Sequence, residues 1–134
     1  MEQSHNTNYS YDQIEAVLSK IKNCIKKNKY QISLNPRRED NLEFISRYNL
    51  RKEDQKSILL GIETDDFCYS LQNEHEGFEH EILYVFAPEV DLISAFGEDK
   101  TVVVYVKFNL IEESDYTVVI SFHELHYPIS YLFK

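Results

Sequence analysis

Only three glycines and two cysteines occur among the 134 residues, and these shortages remove several kinds of chemistry at once. A glycine-rich phosphate loop or a G-x-S-x-G nucleophile elbow needs glycines at fixed spacings, and neither pattern is present. Cys24 and Cys68 are too far apart for a C-x-x-C pair and too few for a disulfide framework, which fits a reducing compartment and a cytoplasmic protein. No run approaches the roughly 18 consecutive apolar residues of a membrane span. The opening Met1–Asn8 has neither a basic nor an apolar region, so it does not read as a signal peptide.

Positive charge is scarce too, but unevenly. Residues 1–60 carry 11 Lys/Arg against 8 Asp/Glu, whereas residues 61–134 carry 3 against 15, and the whole chain stands at −9. Tight non-specific binding of nucleic acid is therefore not expected of the second half. The one basic stretch is Lys20, Lys22, Lys26, Lys27, Lys29, Arg37 and Arg38. Read as solvated helix faces these charges need no partner; read as an RNA footprint, Lys26, Lys27, Lys29, Arg37 and Arg38 are the candidates.

What the chain does have is apolar and aromatic residues, 43% and 13%, enough for one core and one domain spanning 1–134. Residues 1–9 are polar and read as a frayed end. From Ser10 or Asp12 to about Lys29, Ile14, Val17, Leu18, Ile21 and Ile25 make one helical stripe. Tyr30–Leu34 alternates as a short strand. Asn35-Pro36 reads as an N-cap and first helical residue, opening a helix that turns Leu42, Phe44 and Ile45 inward and ends near Tyr48-Asn49. A further helix runs from about Lys52 to Leu60, with Gly61 as its stop.

Beyond residue 71 the period becomes alternating. Residues 80–87 form a strand candidate ended by Ala87-Pro88, and 91–100 read as a connection turning at Gly97. Thr101–Leu110 and Tyr116–His126 form a hairpin. Helices followed by strands predict an α+β fold, with N-terminal helices packed on one face of a curved, mainly antiparallel C-terminal sheet. Alternation gives Val102, Val104, Val106, Phe108 and Leu110 a core face, leaving Tyr105 and Lys107 on the other. In the next strand Val118, Ile120 and Phe122 read as core, with Val119, Ser121 and His123 opposite. His80 and Tyr84 share a face of the earlier strand. His80, Tyr84, Tyr105, Lys107, Ser121 and His123 are thus candidates for one sheet surface.

The stretch I-L-L-G-I-E-T-D-D-F-C-Y-S-L at 58–71 resembles the I-I-G-L-x-x-x-D-F-x-x-S segment of MqsR-family toxins. Downstream, V-Y-V-K-F at 104–108 is similar to that family's V-Y-L-K-I, and V-I-S-F-H-E at 119–124 to its I-V-S-F-K-E. Order and approximate spacing agree over residues 58–124. The resemblance implies a RelE-like fold and a toxin of a toxin–antitoxin pair, a metal-independent endoribonuclease acting on mRNA and silenced by a cognate antitoxin. Cleavage by attack of a 2′-OH on the adjacent phosphate needs a base, a cation for phosphate charge and an acid for the leaving oxygen. His123 suits base or acid, because histidine ordinarily changes charge near neutrality. Lys107 suits the phosphate charge, and Tyr105 matches the family's functional tyrosine and suits base stacking or proton donation.

The chain also departs from the family pattern. Tyr69 replaces a lysine, His123 replaces another, Ala87 replaces an arginine, and an expected glutamine has no counterpart. Either the chemistry has moved onto His80, Tyr84 and His123, or the chain is a non-catalytic interaction module. Glu79–Tyr84 is also loosely similar to the E-H-R-L-V-Y strand of YoeB-like toxins. On paper His75, His80, His123, Glu124 and His126 suffice for a metal-dependent hydrolase, but strand parity sets His123 and His126 on opposite faces. No metal or other cofactor is expected. The apolar tail, Tyr127–Lys134, is expected to tuck against the helices or to meet a partner.

Overall fold

A computed structural model describes residues 5–134. The α+β expectation holds: three helices lie on one face of an open, mixed sheet of six strands. The order in the chain is α1 (Tyr11–Lys26), β1 (Tyr30–Ile32), α2 (Glu39–Arg47), α3 (Lys52–Leu60), β2 (Phe67–Gln72), β3 (Ile82–Phe86), β4 (Glu89–Ile93), β5 (Asp99–Ile111) and β6 (Tyr116–Glu124). Strands run β1-β6-β5-β3-β2 across the sheet, and β4 pairs with the first half of β5. Only β1 is parallel to its neighbour.

Local chemistry explains the helix ends. Ser10 and Gln13 form a reciprocal capping box at the start of α1, at 3.2 and 2.8 Å. The helix closes through Asn28 at φ +59, a left-handed position that asparagine tolerates. Asn35 accepts the Arg37 N–H, and a 3₁₀ turn at Pro36–Arg38 leads into α2. Gly61 ends α3 without left-handed backbone, at φ −81; a Cβ there would meet the Ser57 carbonyl at 3.3 Å.

The main core lies between helices and sheet. Ile14, Leu18, Ile21 and Ile25 of α1 face Phe67, Phe86, Val104, Val106, Phe108 and Phe122. Leu42 is a correction: it is 55% exposed, and Asn41 and Phe44 occupy the inward face of α2 instead. The first helical turn is offset by the 3₁₀ entry, which rotates the buried stripe by one position.

Two strands escape the periodicity. β2 lies where the residues after Gly61 read as a short helix started at Thr64-Asp65 and anchored by Phe67; only Thr64–Asp66 is helical, and Phe67 begins the strand. β4 occupies part of the expected connection, and its Val90 and Leu92 face the main core in alternation with Glu89, Asp91 and Ile93. Ala87-Pro88 interrupts the ladder rather than ending it. The chain bends there, and the Val104 N–H donates to the Pro88 carbonyl as pairing passes from β3 to β4.

The parity assigned to β6 is wrong over half its length. Lys107 pairs with Ser121 but Phe108 pairs with Val119, so Ile120 is an extra residue, a β-bulge. Thr117 and Val119 therefore point to the helices, while Ile120 and Ser121 turn the other way and Val118 is not core. Past the bulge Phe122 returns to the core and His123 to the open face. Asn41 holds this bulge: its Nδ2 donates to the Ser33 and Ile120 carbonyls and its Oδ1 accepts the Phe122 N–H. It takes over from β1, whose pairing with β6 stops at Val119.

The open face of the sheet is partly covered. Ile129 and Tyr131 of the tail pack with Cys68, Leu83, Val85 and Tyr105, and the Tyr131 hydroxyl donates to the Ala87 carbonyl at 2.6 Å. Leu132 and Phe133 then reach the main core, and Leu132 N–H donates to the Phe67 carbonyl. The tail thus divides between helices and sheet. At the other chain end, residues 5–9 are anchored rather than frayed, since Asn6 exchanges two backbone bonds with Ser70 and the Tyr9 hydroxyl meets Ser70 Oγ; residues 1–4 lie outside the described part. No helix among the described residues is long and apolar enough to cross a membrane.

Candidate functional site

Between the open sheet face, the N-terminal residues and the tail lies a cleft of 580 Å³. Tyr69 from β2, Tyr105 from β5 and His123 from β6 line it, together with Asp40 at the start of α2 and His126 beyond β6. The antiparallel register sets Tyr105 directly opposite His123, and their rings stack at 5.4 Å. His126 stacks on the far side of His123 at 5.1 Å. Tyr69 and Tyr105 bring their hydroxyls to 3.3 Å, and His5 lies flat on Tyr69 at 3.7 Å. The result is an aromatic and imidazole wall assembled from three strands and both chain ends.

His123 and His126 are therefore on the same side, against the parity expectation. The strand ends at Glu124, so alternation no longer fixes the side on which His126 falls. His123 Nδ1 lies 2.8 Å from the Glu124 carbonyl oxygen. A carbonyl can only accept, so Nδ1 carries a proton, and in the neutral imidazole Nε2 is the nitrogen with the free electron pair. His126 Nε2 stands 3.5 Å from Asp40 Oδ2, an ion pair whenever the imidazole carries its second proton.

Tyr105 and Lys107 both lie on the open face as alternation requires. Burial and the Tyr69 hydroxyl push the Tyr105 phenol far above its ordinary value, so it is a neutral hydrogen-bond donor and not a proton-releasing acid. Lys107 does not line the cleft; its ammonium stands 6.0 Å from the Tyr105 ring centre. Burial, and then the positive charge of Arg38, lower its pKa. A lysine with a lowered folded value binds fewer protons in the folded than in the unfolded chain. Stability linked to Lys107 therefore rises as pH climbs from the folded value toward the unfolded one. Lys107→Met is expected to melt at higher temperature, measured by thermal denaturation at neutral pH. A lower melting point would contradict this account of its burial.

The remaining candidates are dispersed. Tyr84 pairs with Phe108 and so faces the helices, where its ring lies 6.2 Å from Tyr9 and burial raises its pKa. His80 precedes β3 in an exposed loop beside Glu81, Glu112 and Glu113. Neither joins the cleft, because Leu83 and Val85 are the β3 residues on the open side. Lys27 and Lys29 are bound to Asp115 in the β5–β6 turn, at 3.5 and 3.7 Å, and Lys26 ends α1 beside Asn23 and Glu63. From Thr117 at that end, β6 runs six residues to His123, about 20 Å. Of the basic set, Arg38 alone acts electrostatically on Tyr105 and Lys107; Arg37 is its exposed neighbour.

Sequence reasoning missed Asp40, His126, Tyr69 and His5 as members of one site. The aromatic character of Tyr69 was visible, but only as the loss of a lysine. Nothing in the sequence around Asp40 signals proximity to residue 126. Ala87 is fully buried beneath Tyr131, so an arginine side chain has no room there. A larger depression of 760 Å³ lies between α3 and β4, lined by Asp54, Glu63, Asp66, Glu89 and Asp91, and this acidic surface repels a polyanion.

Cys68 is sealed under the tail, and burial pushes its thiol up to about 12; Cys24 is also buried. Neither thiol of the folded protein is expected to react with iodoacetamide at neutral pH, and both react in denaturant, as counted by mass spectrometry. Rapid labelling of Cys68 in the native state would show that the tail does not stay closed.

In comparisons with known proteins, no family model, curated protein or solved structure matches this chain.

Proposed function

We propose that this protein is an endoribonuclease toxin of the MqsR kind, cleaving mRNA without a metal by 2′-OH attack on the adjacent phosphate. The observation that carries the reading is the convergence of Tyr69, Tyr105, His123 and His126 along one cleft. His123 Nε2, with its free electron pair, takes the proton from the 2′-hydroxyl. His126, supported by Asp40, gives a proton to the departing 5′-oxygen. The neutral Tyr105 and Tyr69 hydroxyls donate to the phosphate oxygens, and Lys107 and Arg38 add positive potential from the flank. The flat rings suit an unstacked base of single-stranded RNA.

Restriction of positive charge to the cleft's edge is consistent with a substrate held by stacking and a few contacts rather than by a broad basic face. A cognate antitoxin belongs to the same reading, and the 63% exposed Ile93 and 93% exposed Phe96 near the β4–β5 turn offer it apolar surface. The test is incubation of purified protein with single-stranded RNA in EDTA. Products ending in 2′,3′-cyclic phosphate are expected. Intact RNA in EDTA, together with intact mRNA on ribosomes translating in magnesium buffer, would instead favour a non-catalytic interaction module.

A further inference from the structure

We infer that Asp40, His123 and His126 form a binding site for a divalent transition-metal ion of the zinc type. One donor atom of each residue lies within 4.8 Å of the others. Tetrahedral zinc with bonds of about 2.1 Å places its ligands about 3.4 Å apart. The Asp40–His126 pair is already at 3.5 Å. Closing the remaining distance asks for side-chain rotation that opens the His123–His126 stack and turns both ring planes toward the ion, which the exposure of Asp40 and His126 and the half-burial of His123 allow.

The donor chemistry selects the ion. Two imidazoles and one carboxylate favour zinc, cobalt or nickel, whereas magnesium and calcium take oxygen sets. His123 is prepared as a ligand, because its Nδ1–H is held by the Glu124 carbonyl and its Nε2 lone pair is left for the ion. The three residues come from α2, β6 and the segment after β6, so the site exists only in the folded chain. Three protein donors leave a coordination position open to water or to a phosphate oxygen.

One consequence rests on the ribonuclease reading. An ion on His123 occupies the electron pair that would accept the 2′-OH proton, so zinc switches cleavage off and a chelator restores it. The site also bridges α2 to β6, so occupancy ties Asp40 to the end of the sheet.

The experiment uses the full-length protein without an affinity tag, stripped with EDTA and dialysed. Zinc is titrated by calorimetry, and cobalt by its visible absorption. One ion per chain is expected. His126→Ala and Asp40→Ala each weaken binding by more than about 10-fold, while His75→Ala, in a separate exposed loop, leaves it unchanged. Thermal melts confirm that the variants fold, and zinc raises the melting point of wild type but not of His126→Ala. Absence of saturable binding, or binding insensitive to both Asp40→Ala and His126→Ala, overturns the site. Metal binding by a protein that never cleaves RNA removes the ribonuclease reading and leaves the site standing. Faster cleavage with zinc than with EDTA overturns the inhibitory role.

Discussion

On the proposed ribonuclease reading, RNA cleavage in EDTA is expected to fall by about 10²- to 10⁴-fold in His123→Ala, the range associated with losing a positioned general base. The substitution removes the one imidazole of the cleft whose proton position is fixed, with Nδ1 held by the Glu124 carbonyl and Nε2 free. It also removes the central ring of the Tyr105–His123–His126 stack. Binding of a non-cleavable RNA, with deoxyribose at the scissile position, separates these effects. Binding weakened only slightly beside a large loss of rate marks a chemical role, whereas equal losses mark a stacking role. His123 is half-buried on the open face, outside the main core, so folding is expected to survive. A variant that folds and cleaves at the wild-type rate would remove His123 from the chemistry.

The second large effect is on stability. Asn41→Leu is expected to cost about 2–4 kcal/mol, because the buried Phe122 N–H and the part-buried Ser33 and Ile120 carbonyls lose their partner together. Asn41 is 1% exposed and serves the Ser33 carbonyl, the Ile120 carbonyl and the Phe122 N–H within 2.8–2.9 Å. Leucine nearly preserves the volume, so the loss reports hydrogen bonding rather than a cavity. For a domain of this size the unfolding midpoint drops by about 10 °C. Leu42→Ala, one residue along and 55% exposed, is the control and stays within about 0.5 kcal/mol. The same asparagine fixes which way His123 points. If the bulge at Ile120 is lost and the strand beyond it shifts register by one residue, His123 rotates to the helix side. Cleavage by Asn41→Leu should therefore fall further than its unfolded fraction accounts for. Equal stability of wild type and Asn41→Leu would mean that the bulge does not need its side-chain brace.

Much of the helical half was legible because its determinants are local. The α1 stripe, the Ser10 start and the Lys52–Leu60 helix depend on spacing and capping within a few residues. The uninterrupted valines of β5 were equally plain. The strands β2 and β4 were harder. β2 follows a real 3₁₀ turn that imitates a longer helix, and β4 follows a proline that normally ends a strand but here sits at a bend. The face of β6 could be read only from Ser121 onward, because one inserted residue inverts every assignment before it. That bulge is specified by Asn41, 79 positions away from Ile120.

The candidate site divides along the same line. Alternation within β5 determined that Tyr105 and Lys107 share a face opposite the core, since backbone geometry alone requires it. Composition determined an α+β domain with its charge divided between halves. Tertiary structure decided that His123 stacks on Tyr105, that Tyr84 turns inward, and that Lys27 and Lys29, just past α1, are occupied at the far end of β6. It also brought Asp40 and His126 together at 3.5 Å. Pairing register, a bulge and the course of the tail are set by contacts between distant segments, whose free energies no stretch of sequence carries by itself.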